Sequence, residues 1–246
     1  MRPSPPLVLA HRGACRVARE NTIEAFAAAR RIGADGVELD VHRSADGELV
    51  VHHDASAPDL GLLADHTLAD IRRALPFVPT LAEALDVSDG MLVNVEIKNL
   101  PGDADFDPRH QVADAVVALI EERALHDRVV VSSFNLDSVD RVRARDARVP
   151  TGWLTYVGLD PIDALWIVYE HGHRALHPDQ RLLAGEADGG AAVMARAHEL
   201  GVRVTTWTVD DADRIRALAE AGIDGVITND PGGALRALGR RPAPPA

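Results

Sequence analysis

A chain of 246 residues, 46% of them hydrophobic and 26% charged, carries enough apolar surface for one large core, which excludes wholesale disorder and leaves little room for two ordinary domains. Acidic residues number 38 against 26 basic ones, a formal net charge of −12, so nucleic acid and anionic membrane are not expected partners, whereas a small anionic substrate held by a few local cations is compatible. The single cysteine, Cys15, excludes an internally stapled scaffold.

No apolar run approaches the roughly 20 residues of a membrane span. The stretch Leu7–Ala10 is the only apolar run near the N-terminus, too short for the roughly 7–15 residues of a signal-peptide core. The expectation is a soluble cytoplasmic protein with no stable membrane association. Oligomeric state is not legible.

Strand-like and helical stretches alternate along the chain. The apolar run Leu7–Ala10 predicts a first strand, and a helix follows near Thr22–Arg31, where Asn21 and Glu24 have the spacing of a capping box. Gly36–Val41 and Glu48–His52 read as strands, and Leu68–Ala74 and Leu81–Leu85 as helical pieces. Met91–Lys98 is a strand, the Pro-, Gly- and Asp-rich stretch Leu100–Pro108 a loop, and Gln111–Glu122 a helix. The remainder predicts strands at Arg128–Ser132, Gly152–Thr155, Arg174–Leu176, Val202–Thr206 and Gly225–Ile227. Between and after them fall helices at Asp137–Arg145, Pro161–Glu170, Ala191–Leu200, Ala212–Ala221 and Gly232–Leu238. Eight principal strands, most followed by a helix, in about 250 residues predict a single-domain (β/α)8 TIM barrel over residues 1–239, with a Pro-rich, frayed tail over 240–246. A doubly wound sheet is the rival, but no G-x-G-x-x-G or Walker A motif follows the first strand.

In such a barrel the chemistry sits at the C-terminal ends of the strands. The groups expected there are His11-Arg12-Gly13, Glu38-Leu39-Asp40, His52-His53-Asp54, Glu96-Ile97-Lys98, Ser132-Ser133-Phe134, Thr206-Trp207 and Thr228-Asn229-Asp230. Strand alternation puts Glu38 and Asp40 on one face, and Asn94, Glu96 and Lys98 on one face, with apolar neighbours turned the other way. Three carboxylates then crowd the barrel mouth. Two such charges about 5 Å apart repel by roughly 3 kcal/mol at an effective dielectric of about 20. A hard divalent cation removes that cost, and oxygen ligands favour Mg²⁺ or Ca²⁺, with Mn²⁺ also compatible. The competing reading pairs the acids with Lys98 and an arginine.

His11 and His53 end separate strands at the same rim and suit proton transfer near neutral pH. Arg12 and Lys98 stand beside the acids and would hold a phosphate, and Lys98 is the only lysine in the chain. Phe134 and Trp207 either wall an organic leaving group or cap the core. Among the remaining histidines His177 is a rim candidate, and His42, His66, His110, His126, His171, His173 and His198 read as surface or loop residues.

Taken in order, His11-Arg12-Gly13, Glu20-Asn21-Thr22, Glu38-Leu39-Asp40-Val41 with Asp46-Gly47, Val50-Val51-His52-His53-Asp54, Pro79-Thr80-Leu81, Glu96-Ile97-Lys98, Ser133-Phe134, Trp207-Thr208-Val209 and Gly225-Val226-Ile227-Thr228 resemble the glycerophosphodiester phosphodiesterase family from residue 8 to about 231. The resemblance implies a TIM barrel that hydrolyses glycerophosphodiesters to sn-glycerol 3-phosphate and an alcohol, with the glycerol 2-hydroxyl attacking phosphorus to give a cyclic phosphate that water opens. It implies Glu38, Asp40 and Glu96 as ligands of one divalent cation, His11 and His53 as the acid–base pair, and Arg12 and Lys98 as phosphate-binding cations. The chain departs from the family pattern at Arg19, where Pro is usual, at Ala55–Gly61, where an Arg-Thr-Thr-like run is common, and at Asn229, where Asp is frequent. The first two touch the head-group side, so the alcohol stays open, and little effect is expected from the third. A lysophospholipase D- or sphingomyelinase D-like lipid phosphodiesterase, a non-catalytic phosphodiester-binding barrel and a metal-dependent aldolase or isomerase are the alternatives.

Overall fold

The computed structural model describes residues 5–183 and 190–242. Eight parallel strands form a closed barrel: β1 (Leu7–His11), β2 (Gly36–Arg43), β3 (Leu92–Ile97), β4 (Val129–Ser133), β5 (Thr151–Thr155), β6 (Ala175–Pro178), β7 (Arg203–Thr206) and β8 (Gly225–Thr228). Each pairs with its successor, and β1 pairs with both β2 and β8, so no strand edge of the ring is left open. A short strand, Leu49–Val51, runs antiparallel to the end of β2 and delivers His52-His53-Asp54 to the barrel mouth.

Nine helices surround the ring among the described residues: α1 (Ile23–Ile32), α2 (Leu68–Ala74), α3 (Leu81–Val87), α4 (Gln111–Glu122), α5 (Leu136–Arg145), α6 (Pro161–Glu170), α7 (Ala191–Glu199), α8 (Ala212–Glu220) and α9 (Pro231–Ala237). Alternate residues of the strands face them. Val37, Leu39, Val41, Val93, Val95 and Ile97 are buried in one apolar cluster with Phe26, Leu81, Leu85 and Ile120 from the helices. The opposite alternation of β2 and β3 points Glu38, Asp40, Asn94 and Glu96 into the barrel. None of the described helices is long and apolar enough to cross a membrane.

Three local expectations change. The N-cap of α1 is Thr22, whose side chain accepts from the Ala25 N–H, rather than Asn21. The capping box is instead at α3, between Thr80 and Glu83. The sixth strand extends to Pro178, which draws His177 into the barrel wall and buries it. At the C-terminus Arg240 forks onto Asp35 at 2.6 and 2.7 Å, so the start of the tail is tied to the barrel. The rest of the tail, residues 243–246, lies outside the described residues.

Candidate active site at the barrel mouth

Strand register assembles the acidic group. Asp40 on β2 pairs with Glu96 on β3, and Glu38 pairs with Asn94 on one side and His11 on the other. Carboxylate oxygens of Glu38, Asp40 and Glu96 all lie within 4.8 Å of one another, and all three residues are less than a tenth exposed. The three acids converge as the metal reading requires, and two of them also have the cationic partners of the competing reading. Lys98 Nζ lies 2.7 Å from Glu96 Oε1 and 3.3 Å from Asp40 Oδ1. Arg12 Nε lies 3.3 Å from Asp40 Oδ2, and Nη1 reaches Glu20 at 2.9 Å. Glu38 is different. It accepts the backbone N–H of Arg12 at 3.0 Å, and the His11 imidazole Nε2 lies 3.9 Å away.

The electrostatics follow that pattern. Burial, with Asp40 and Glu96 close by, pushes the Glu38 carboxyl well above the usual carboxylate range. Burial also raises Glu96, against the pull of Lys98. In Asp40 burial is outweighed by Lys98, Arg12 and the Asn21 amide, and the carboxyl is held below its ordinary value. Lys98 loses hydration by burial, but Glu96 and Asp40 more than restore its charged form and drive its pKa up.

Backbone conformation serves the same groups. Arg12 has φ +53° and Asn21 φ +55°, the left-handed region that side chains seldom adopt. The strain turns the Arg12 N–H onto Glu38, and the Asn21 amide onto Asp40 at 2.8 Å. Gly13 follows with φ +79°, and a Cβ there would come within 2.7 Å of the Ala25 backbone, so only glycine lets this turn pack on α1.

His11 and His53 both line a cleft of about 210 Å³ with Arg12, Glu38, Glu96 and Lys98. Burial lowers the pKa of each histidine. His11 Nδ1 lies 2.7 Å from Asn229 Oδ1. The Asn229 amide nitrogen donates to Asp210 at 2.9 Å, which fixes the carbonyl end toward the histidine. His11 Nδ1 therefore donates, and Nε2 faces the acids. Asn229, the departure from which little effect is expected, is thus in direct contact with His11. His53 Nδ1 lies 2.6 Å from Asp54 Oδ1. Its backbone carbonyl accepts from His42 Nε2 at 3.1 Å, and His42 Nδ1 lies 2.7 Å from Asp105 Oδ2. His42, read from sequence as a surface residue, is buried and braces the His53 loop. The signal was present: His42 lies two residues beyond Asp40 and shares its face.

Aromatic residues wall the far side. Phe134 stacks on Tyr156 with centroids 3.9 Å apart, and Trp207 meets Phe134 edge-on at 5.4 Å. All three line the cleft, so Phe134 and Trp207 face it rather than cap the core. Trp207 Nε1 donates to the His177 carbonyl at 2.8 Å. The ring of His177 is seated inside the barrel against Gly152 and does not line the cleft, which removes it from the rim candidates. Tyr156 was missed although it follows the last residue of β5, the rim position used to find the others. A second cavity of about 320 Å³ adjoins the first beyond Tyr156, lined by Asp54, Asn99, Leu100 and Asp103.

The fold and mouth define a (β/α)8 barrel whose acidic triad, paired histidines and two cations suit a divalent ion and an anionic substrate. Residues 11–233 match the model of the Glycerophosphoryl diester phosphodiesterase family, and the chain belongs to that family. It is 32% identical to a glycerophosphodiester phosphodiesterase of Caldanaerobacter subterraneus subsp. tengcongensis, over 92% of this chain and 94% of that protein. The glycerophosphodiester phosphodiesterase of Thermotoga maritima superposes with a TM-score of 0.78 at 29% identity, covering 93% of this chain and 96% of that one. An Oleispira antarctica phosphodiesterase, solved in complex with sn-glycerol-3-phosphate, shares the fold with a TM-score of 0.82 at 24% identity, covering 96% and 97% of the two chains.

Proposed function

We propose that this protein hydrolyses small glycerophosphodiesters to sn-glycerol 3-phosphate and an alcohol, with Glu38, Asp40 and Glu96 holding one divalent cation. The observation that carries the reading is the convergence of three buried carboxylates beside two histidines, Arg12 and Lys98 in one cleft. The residues present fit the ion. Asp40 and Glu96 make direct ion pairs with Lys98 or Arg12, while Glu38 is buried with a backbone N–H at 3.0 Å and an imidazole at 3.9 Å as its contacts and feels Arg12 only at longer range. An all-oxygen donor set favours Mg²⁺, Ca²⁺ or Mn²⁺. A bound ion would supply charge neutralisation at the phosphoryl group.

The side chains do the rest. The Arg12 fork and the Lys98 ammonium hold the phosphodiester oxygens and orient the phosphorus toward the histidines. One histidine accepts the proton of the glycerol 2-hydroxyl as that oxygen bonds to phosphorus. The P–O bond to the alcohol breaks, and the other histidine protonates the departing oxygen. Water then adds to the cyclic phosphate, the ring P–O2 bond breaks, and the proton returns to the 2-hydroxyl. Burial favours the neutral form of each imidazole, which suits the one that accepts the proton; the other carries a proton before it donates to the departing oxygen. Phe134, Tyr156 and Trp207 flank the leaving alcohol.

The test is release of glycerol 3-phosphate from glycerophosphocholine with Mg²⁺, Ca²⁺ or Mn²⁺, and with EDTA, alongside lysophosphatidylcholine as a lipid substrate. The expected result is cation-dependent turnover of the water-soluble diester that EDTA abolishes. Full activity in EDTA would refute the cation, and turnover of the lipid alone would refute the substrate class.

A further inference from the structure

The opposite end of the barrel carries a second group of ligating side chains. Asp140 lies in the middle of α5, and His171 and His173 lie in the turn that joins α6 to β6. One oxygen or nitrogen from each lies within 4.8 Å of the others. His171 Nδ1 is 2.9 Å from Asp140 Oδ2. The side chain of His173 is fully buried, and its Nε2 is 3.1 Å from Asp140 Oδ1. That nitrogen is nevertheless without a hydrogen-bond partner, because the approach is off the donor–acceptor line. A plain hydrogen-bonded cluster satisfies His171 and leaves this buried nitrogen with an ion-pair contact of poor hydrogen-bond geometry.

The geometry points to a binding site for a zinc-type transition-metal dication, held by Asp140, His171 and His173 with water in the fourth position. Three details fit such an ion. Thr151 Oγ1 lies 2.8 Å from His173 Nδ1, so the second ring nitrogen is tethered, the outer-shell arrangement that fixes a ligating imidazole. Gly172, between the histidines, has φ +73°, and the Arg143 guanidinium packs where a Cβ would project. Its freedom brings the two rings to 5.9 Å and within 25° of parallel. The half-exposed His171 and Asp140 leave the solvent side open for a water ligand. An ion at metal–ligand distances of about 2.0–2.1 Å sets tetrahedral ligand atoms roughly 3.3 Å apart, and the three groups already lie within 4.8 Å of one another.

The donor set selects the metal. Two imidazoles and one carboxylate suit Zn²⁺, Co²⁺ or Ni²⁺, whereas Mg²⁺ and Ca²⁺ need more oxygen. The two ends of the barrel therefore differ in kind, with an oxygen site at the catalytic mouth and a nitrogen-rich site at the N-terminal face. That face is the one associated with stability in barrel enzymes, and an ion there would tie α5 to the α6–β6 turn.

The test uses metal-stripped full-length protein in excess Mg²⁺, titrated with Zn²⁺ by calorimetry, with thermal unfolding as a second readout. One equivalent of zinc is expected, with a rise in Tm. His171→Ala and Asp140→Asn alter half-exposed positions and should weaken zinc binding at least about tenfold and abolish the Tm rise. Their phosphodiesterase activity in Mg²⁺ should be unchanged. Glu38→Gln should retain the zinc site, which separates it from the mouth. Co²⁺ in place of zinc should give the visible spectrum of a four-coordinate nitrogen–oxygen site. Absence of zinc binding in Mg²⁺, or binding that Glu38→Gln removes and His171→Ala does not, would overturn the site.

Discussion

At the scale of single residues, the histidine at the end of β1 depends on a neighbour that carries no charge. Asn229 gives His11 a carbonyl acceptor and is itself held by Asp210 through two donated bonds, from its backbone N–H and its amide. A carboxylate in that place would stabilise the imidazolium. Asn229→Asp should therefore raise the His11 pKa, which NMR titration of the imidazole reads directly, and an unchanged value would show that Asn229 does not govern it. His11→Ala and His53→Ala should each cost at least about 10²-fold in turnover. Wild-type rates in either would remove that residue from the proton-transfer pair. Lys98 contacts two acids at once as a compact ammonium. Lys98→Arg should lower activity because a planar fork cannot take the same place, and full activity would reduce the lone lysine to a compositional accident.

At the scale of elements, the site is placed by the pairing of β1, β2 and β3 and completed by segments that follow no strand periodicity. Alternation along Glu38-Leu39-Asp40 and Asn94-Val95-Glu96 made the acidic face legible from sequence, because a two-residue period is local. The brace on His53 was not legible. It needs Asp105, from the Pro-, Gly- and Asp-rich loop after β3, to meet His42 on β2, 63 residues away. Nothing local encodes that encounter. Asp105→Asn should loosen the His53 loop and lower kcat by about 10- to 100-fold with a smaller change in KM. Wild-type kcat would show that the contact is structural only. The misplaced capping box has the same origin: Asn21 had the right residue type for a cap, but Asp40 claims its side chain through a tertiary hydrogen bond.

At the scale of the whole molecule, the strand count and the helix between most neighbours identified the closed barrel before any side chain was placed. The sixth strand was read too short because its last residues, His177 and Pro178, are poor strand formers on propensity alone. The consequence is a histidine buried in the barrel interior, with its pKa pressed down to about 4 by loss of hydration. The folded chain keeps this ring neutral, while the unfolded chain protonates it near 6.5, so this contribution to stability is complete above about pH 6.5 and is lost as pH falls toward 4. Between pH 6.5 and 5 the loss amounts to about 2 kcal/mol. Chemical denaturation of His177→Phe should show a shallower acid dependence than wild type by about that amount, and identical slopes would mean that the ring reaches water.

The most direct examination of the catalytic site is an anomalous-difference map from crystals grown with Mn²⁺. A single peak bonded to carboxylate oxygens of Glu38, Asp40 and Glu96, with His11 and His53 beside it, is the predicted result. A mouth without such a peak, in crystals of enzyme that is active with manganese, would contradict the account.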